Sequence, residues 1–282
     1  MLAALVAVVL IPGGLWARGK TGNARIKVDI ERQKGEIDRN IYGNFVEHLG
    51  RCIYGGLYEP GSPLSDEKGY RRDVLEATRA LRTSLVRWPG GNFAGEYRWQ
   101  DMFLHPDRRA PMEGYMENET QPFTHGYDMH EIDTDDFIAL CREIGAEPFL
   151  TINAAWDSPE VCAAWVEYCN GPAESKYGRL RAQRGHQEPY NVKWWSLGNE
   201  MGYGANTPDG YASLVETHAR AMLKVTPDLK FVSSGPYPNQ EWVDVSIKKL
   251  APIAPYVSLH TYNSVHWDFT SPEGMERCYN EI

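Results

Sequence analysis

The stretch Val192 to Gly204 reads VKWWSLGNEMGYG, and its first half decides the fold. Val192 to Leu197 is short, apolar and aromatic and breaks off at Gly198, the pattern of a strand buried on both faces of a parallel sheet. Asn199 and Glu200 follow at once, an amide and a carboxyl where such a strand emerges at the rim. Parallel sheets and barrels do their chemistry at the carboxyl ends of their strands. A carboxyl in that place can equally cap the next segment or pair with a surface arginine, so the surrounding chain has to decide.

Downstream, Thr207-Pro208 opens a helix with Tyr211, Leu214, Val215, His218 and Met222 on one face. Lys230 to Ser234 reads as a strand, Gln240 to Leu250 as a helix and Tyr256 to His260 as a strand, with a last helix beginning near Ser271. Upstream, Ser158-Pro159-Glu160 starts a helix that buries Val161, Trp165 and Tyr168 and stops at Asn170-Gly171. Pro148 to Asn153 is a strand before it. Thr134 is placed to cap a helix with Phe137, Leu140, Cys141 and Ile144 inward and Gly145 closing it. Trp99 to Glu131 is long and without period, the kind of loop that is usually functional or mobile. Thr83 to Trp88 is a strand running into Pro89-Gly90-Gly91-Asn92, preceded by a helix over Arg71 to Leu81 and a strand within Asn40 to Phe45. Arg25 to Ile30 alternates like a half-exposed strand.

Strands and helices therefore alternate, which predicts parallel βαβ units. With Ile41 to Phe45 as the first strand, Glu200 follows the fourth and His260 the sixth. A chain of 282 residues is long enough for a closed eight-stranded barrel of about 250 residues. The strand count instead predicts an α/β fold that is an incomplete TIM (β/α)8 barrel of about six strands. In domain terms, residues 1–22 read as an apolar leader and linker, 23–35 as an accessory strand and 36–282 as the barrel.

A net charge of -9 argues against a general nucleic-acid binder, which needs a basic face. The leader Leu2 to Ile11 is too short to span a bilayer. It resembles a secretory signal core without a basic start or a good cleavage site, which leans towards export with the cytoplasm as the alternative. No other segment reads as a membrane span. The five cysteines, Cys52, Cys141, Cys162, Cys169 and Cys278, match no zinc spacing and read as buried free thiols. His125 and His130, in HGYDMHE, are not an HExxH pair, so no metal is expected. Nine Trp and sixteen Tyr suit a large core and, beside amides and carboxyls, also suit the flat faces of sugars.

Polar residues collect at the strand ends: Glu47, then Arg87 and Asn92, then Asn153, then Asn199 and Glu200, and finally His260 and Tyr262. Singly each has an ordinary structural explanation. Together, on a barrel, they converge on one mouth. A carboxyl with an amide neighbour suits glycosidic-bond cleavage, where one carboxyl protonates the leaving oxygen and the amide holds a sugar hydroxyl.

The segments IYGNFVEHLGRCIYGGLYEP, VRWPGGNFAGEYRW, AEPFLTIN, WSLGNEMGYG and SLHTY resemble glycoside hydrolase family 51, the retaining α-L-arabinofuranosidases, from about Ile41 onward. The resemblance implies hydrolysis of terminal non-reducing α-L-arabinofuranosyl residues in arabinose-containing polysaccharides, with no cofactor. It implies that Glu200 is the general acid/base and that Asn199 bonds the sugar 2-hydroxyl. Glu47, Arg87 and Asn92 would line the furanose subsite, and His260 and Tyr262 would stand beside the nucleophile. It also implies a β-sandwich to which Arg25 to Ile30 would contribute a strand, and it leaves homo-oligomerisation of the full-length protein open. The family's nucleophile is a Glu after a seventh strand, which the strand count does not reach. Glu273, Glu276 and Glu281 fall where the sixth helix is expected, so this stretch is expected to be inactive by itself. His130-Glu131-Ile132-Asp133 stands where the family has an Asn and an aromatic-Gly pair, in a loop that shapes the pocket. The alternatives are another retaining glycosidase of the same clan, an endoglucanase or β-xylosidase, and a non-catalytic sugar-binding relic.

Overall fold

The computed structural model describes residues 30–32, 34–104, 112, 113, 127, 128, 130–201, 207–234 and 240–260. The chain divides into two compact units, Met1–Ile37 and Asp38–Ile282. The leader, the expected strand at Arg25 to Ile30 apart from its last residue, His125, Tyr262, the helix near Ser271, the three glutamates after it and Cys278 lie outside the described residues.

The second unit is a curled half-barrel of six parallel strands, as the alternation predicts. In chain order these are β1 (Asn44–Phe45), β2 (Leu85–Trp88), β3 (Glu147–Thr151), β4 (Trp194–Leu197), β5 (Lys230–Ser234) and β6 (Tyr256–Ser258), each paired with the next. The helices are α1 (Arg72–Ala80), α2 (Thr134–Ile144), α3 (Pro159–Asn170), α4 (Lys176–Gln183), α5 (Pro208–Val225) and α6 (Gln240–Val245), the last continued by a π turn over Ser246–Leu250. Crossover helices are what allow neighbouring strands to run parallel. Residues on the helix-facing side of the strands merge with the helices into the main core, which includes Trp88, Leu150, Trp195, Phe231, Trp165, Tyr168 and Tyr211, while Leu85, Phe149 and Trp194 form a separate small cluster with Val232 on the other face of the sheet.

Local details depart from the pattern for physical reasons. β1 has two residues, because Asp38 caps a 3-10 turn at Arg39–Tyr42 and that turn takes up the start of the expected strand. β4 starts at Trp194, because the Asn170 side chain holds both backbone groups of Val192: Val192 N–H donates to Oδ1 at 2.7 Å and Nδ2 donates to the carbonyl at 2.8 Å. Asp133 caps α2, in a reciprocal box with Asp136, and the Thr134 hydroxyl instead accepts from Trp165 Nε1. Within the aperiodic region lie a 3-10 turn at Trp99–Phe103 and a two-residue antiparallel pair, Met112–Glu113 with Tyr127–Asp128. Helix α4 was not expected. Ser175 caps it, and its buried Arg181 donates to the carbonyls of Tyr168, His186 and Gln187. Cys141, Cys162 and Cys169 are buried free thiols as expected, whereas Cys52 is exposed.

Helices α2, α3 and α4 are tied by an ionic cluster around the buried Asp133 and Asp135, with Arg184 partly open to solvent. Asp135 accepts from Tyr168 OH (2.7 Å), Tyr190 OH (2.8 Å) and Arg184 Nε (2.6 Å), and Arg184 Nη2 donates to Asp133 (2.6 Å). Removing Asp135 leaves the buried Tyr168 and Tyr190 hydroxyls without their acceptor and Arg184 without one of its two carboxylates. Asp135→Ala is therefore expected to cost about 3 kcal/mol or more in urea unfolding. A cost within the ordinary surface range would show that the cluster is not a structural tie.

Candidate active site

The ladder register brings the strand ends to one rim. Thr151 of β3 pairs with Ser196 of β4, and Leu197 of β4 pairs with Ser233 of β5. After β4 the chain turns at Gly198 (φ +86), where an added Cβ would lie 2.8 Å from Met201 Cγ. Glu200 follows with φ +44, a left-handed conformation that a non-glycine residue keeps only when its surroundings hold it. They do so through its backbone: Glu200 N–H donates to Ser234 Oγ at 2.8 Å. Ser234 is fixed in turn, its N–H donating to Tyr211 OH at 2.6 Å, and that hydroxyl reaches the Leu197 carbonyl at 3.3 Å.

The side chains expected at the mouth form two connected groups. In one, Arg87 Nη2 donates to Asn199 Oδ1 at 2.8 Å, Arg87 Nε donates to Thr151 Oγ1 at 3.0 Å, and Asn199 Nδ2 donates to Asn92 Oδ1 at 2.9 Å. In the other, His260 Nδ1 lies 2.8 Å from Glu200 Oε1, with the two side chains only 16% and 12% exposed. His260 Nε2 is 3.3 Å from Ser258 Oγ. Glu47 adjoins the first group: its Oε1 accepts the backbone N–H of Gly91 (2.7 Å) and Phe93 (3.1 Å). This close approach requires Gly90, where a Cβ would lie 2.5 Å from Glu47 Cγ. Two backbone amides converge on one carboxylate oxygen, and such charge-assisted hydrogen bonds hold the acid in place.

Beneath the mouth is an aromatic floor. Trp88 Nε1 donates to the fully buried His48 at 2.9 Å, His48 stacks on Phe93 at 4.7 Å, and His130 stacks on Tyr97 at 5.2 Å. His130 therefore belongs to this packing.

Of the expected residues, Glu47, Arg87, Asn92, Asn199, Glu200 and His260 meet at the rim. Asn153 does not join those bonds. Its Oδ1 accepts Trp156 N–H at 3.2 Å and so shapes the turn after β3. Thr151 and Ser234 were not expected at the site, and Tyr211 was expected only on the face of its helix. Thr151, two positions before Asn153 and on the same face of the strand, carried the period-2 signal that would have found it.

A family model described as Alpha-L-arabinofuranosidase 1 domain matches residues 77–277. Alpha-L-arabinofuranosidase C of Emericella nidulans is 36% identical over 275 residues, covering 90% of this chain and 53% of that protein. The intracellular exo-alpha-(1->5)-L-arabinofuranosidase of Acetivibrio thermocellus is 35% identical over 248 residues, covering 85% of this chain and 48% of its own. The solved structure of the thermostable GH51 alpha-L-arabinofuranosidase from Thermotoga petrophila is similar with a TM-score of 0.72 and 41% identity, over 79% of this chain and 46% of that one. The half-barrel and its carboxyl-end rim set the class, a (β/α)-barrel of the glycosidase kind. The chain belongs to glycoside hydrolase family 51. It spans about half the length of the curated relatives it matches.

One titration at this rim has a readable sign. Burial raises the Asp157 carboxyl from 3.8 to about 6, against the lowering influence of His218. The folded chain thus holds this proton more tightly than the unfolded chain, so stability falls as pH rises from about 4 to about 6. Asp157→Asn, which mimics the protonated acid, is expected to raise Tm above wild type at about pH 7.5 and to converge on it near about pH 4. A Tm difference that stays constant across this window would show that Asp157 does not titrate in it.

Proposed function

We propose that this chain is the acid/base half of a retaining α-L-arabinofuranosidase that removes terminal α-L-arabinofuranosyl residues from arabinose-containing glycans. The observation that carries the reading is the rim itself: a shielded Glu200–His260 pair beside an Asn199 amide held between Arg87 and Asn92. Glu200 would protonate the glycosidic oxygen as it leaves and then deprotonate the incoming water. Its contact with His260 keeps the carboxyl oriented. An amide nitrogen carries two donors. One of those of Asn199 goes to Asn92, and the other suits the sugar 2-hydroxyl, whose contact strengthens as the oxocarbenium-like transition state forms. Glu47, Arg87 and Asn92 would accept and donate to the remaining furanose hydroxyls.

Retention needs a second carboxyl about 5–5.5 Å from the first, acting as nucleophile. The reading assigns it to a Glu after a seventh strand, and Tyr262 to its vicinity. The relatives are about twice as long as this chain, which leaves room for such a strand.

Two measurements test the proposal. The 282-residue chain by itself is expected to release no 4-nitrophenol from the aryl α-L-arabinofuranoside, because a proton donor alone forms no glycosyl-enzyme. In the protein that also carries the seventh strand, Glu200→Ala should lower kcat by about 10²–10⁴-fold, with azide restoring turnover of a substrate with a good leaving group. Absence of azide rescue would move the acid/base role to another residue. A preference for aryl glucosides or xylosides over arabinofuranosides would favour a different glycosidase of the clan.

A further inference from the structure

Six of the tryptophans among the described residues, Trp88, Trp99, Trp165, Trp194, Trp195 and Trp242, are buried, whereas Trp156 is 83% exposed. A single exposed apolar side chain needs no explanation in general. The place and the mounting of this one set it apart. Trp156 lies on the turn that leaves β3 at the carboxyl rim, two residues after Ala154. That turn abuts the one bearing Glu200, since a Cβ on Gly198 would touch Ala154 Cβ at 3.4 Å.

The turn is fastened at three points. Asn153 Oδ1 accepts Trp156 N–H (3.2 Å), and the Asn153 carbonyl accepts Asp157 N–H (3.0 Å). The Asp157 carbonyl meets Nε2 of the buried His218 at 2.9 Å, while Nδ1 of that ring meets the Leu214 carbonyl at 2.8 Å within α5. Strand β3 and helix α5 thus hold the backbone on either side of the indole. A large flat ring whose backbone is ordered on folding has little left to lose on binding, which is what a rigid recognition platform requires.

We propose that Trp156 is a platform for a sugar ring on the leaving-group side of the scissile bond, stacking the indole against the ring's C–H face. This rests on the glycosidase reading of the rim. The terminal furanose would be taken by the polar side chains of β1 to β4, which are half-buried. A residue as open as Trp156 meets instead the part of the glycan that stays in solvent. Sugars present hydroxyls at their edge and C–H groups on their face, so an indole beside a polar rim complements both. Trp156 is then a specificity-determining residue: it recognises a saccharide aglycone and does not take part in bond cleavage.

The test uses the protein with its barrel completed and compares α-1,5-arabinotriose with methyl α-L-arabinofuranoside, whose aglycone is a single carbon. In Trp156→Ala the ratio of kcat/KM for arabinotriose to that for the methyl glycoside is expected to fall about tenfold, mainly through KM, and Trp156→Phe to recover most of it. An unchanged ratio would overturn the platform. A second readout is the indole ¹⁵N–¹H signal of Trp156, assigned by its loss in the alanine variant, which should shift on addition of arabinotriose. Should the wild-type protein cleave neither substrate, the arabinofuranosidase reading fails by itself. The indole shift then decides the platform separately, its presence sustaining it and its absence refuting it.

Discussion

The rim depends on the way one amide is gripped. A guanidinium can only donate, so Arg87 fixes which end of Asn199 faces it and the amide nitrogen must turn to Asn92. The same guanidinium donates through Nε to Thr151, so one side chain ties β2 to both β3 and β4. A half-turn of the Asn199 amide would set its NH2 against the guanidinium and leave two donors facing each other. Only one arrangement satisfies all four groups, and partly buried polar groups without partners are costly. The orientation of the residue preceding Glu200 is therefore settled by charge type before any ligand arrives.

Glu200 inherits that definition from its backbone. Its left-handed φ would be unfavourable in isolation, and it is sustained by the relay from the Leu197 carbonyl through Tyr211 and Ser234 back to the Glu200 N–H. The relay links the end of β4 to β5 and α5 through the buried Tyr211 and Ser234, where such hydrogen bonds count for more than they do in water. Glu47 is treated differently: paired backbone amides at the Gly91 turn hold it in place of a side chain. Glu47 and Glu200 are thus held by different means, one by backbone amides on its carboxylate and the other by its own backbone and His260.

Much of this was readable in the sequence wherever a periodic pattern met a recognisable cap. Helix α5 with Thr207-Pro208, helix α3 with Ser158-Pro159 and the Gly145 stop all appear as expected. So does the succession of strands that places Glu200 after the fourth. Readability failed where a side chain competed with the backbone. The Asn170 side chain displaced the start of β4, and Asp133 outbid Thr134 as cap because the threonine hydroxyl was already taken by Trp165. Helix α4 was invisible because its buried side is an arginine satisfied by carbonyls, which no hydrophobic period registers. Ser234 was missed for a related reason: a short hydroxyl side chain in a buried strand reads as neutral filler until its partner is known.

The bare edges of the sheet complete the physical picture. β1 and β6 have no second ladder partner among the described residues, and Phe45 and Leu259 at those ends are half or more exposed. Open strand edges beside apolar surface invite pairing. The groups at the rim are nevertheless bonded within the half-barrel itself: Arg87 to Thr151 and Asn199, Glu47 to the Gly91 turn, and Glu200 to His260 and Ser234. Their arrangement does not wait for the remaining strands. On the proposed reading, closing the barrel supplies a second carboxyl to a proton donor and a furanose cradle that are already set. The separation of the two acids then depends on how firmly the turn after β4 holds Glu200, and its bonds to Ser234 and His260 anchor that turn to the neighbouring strands.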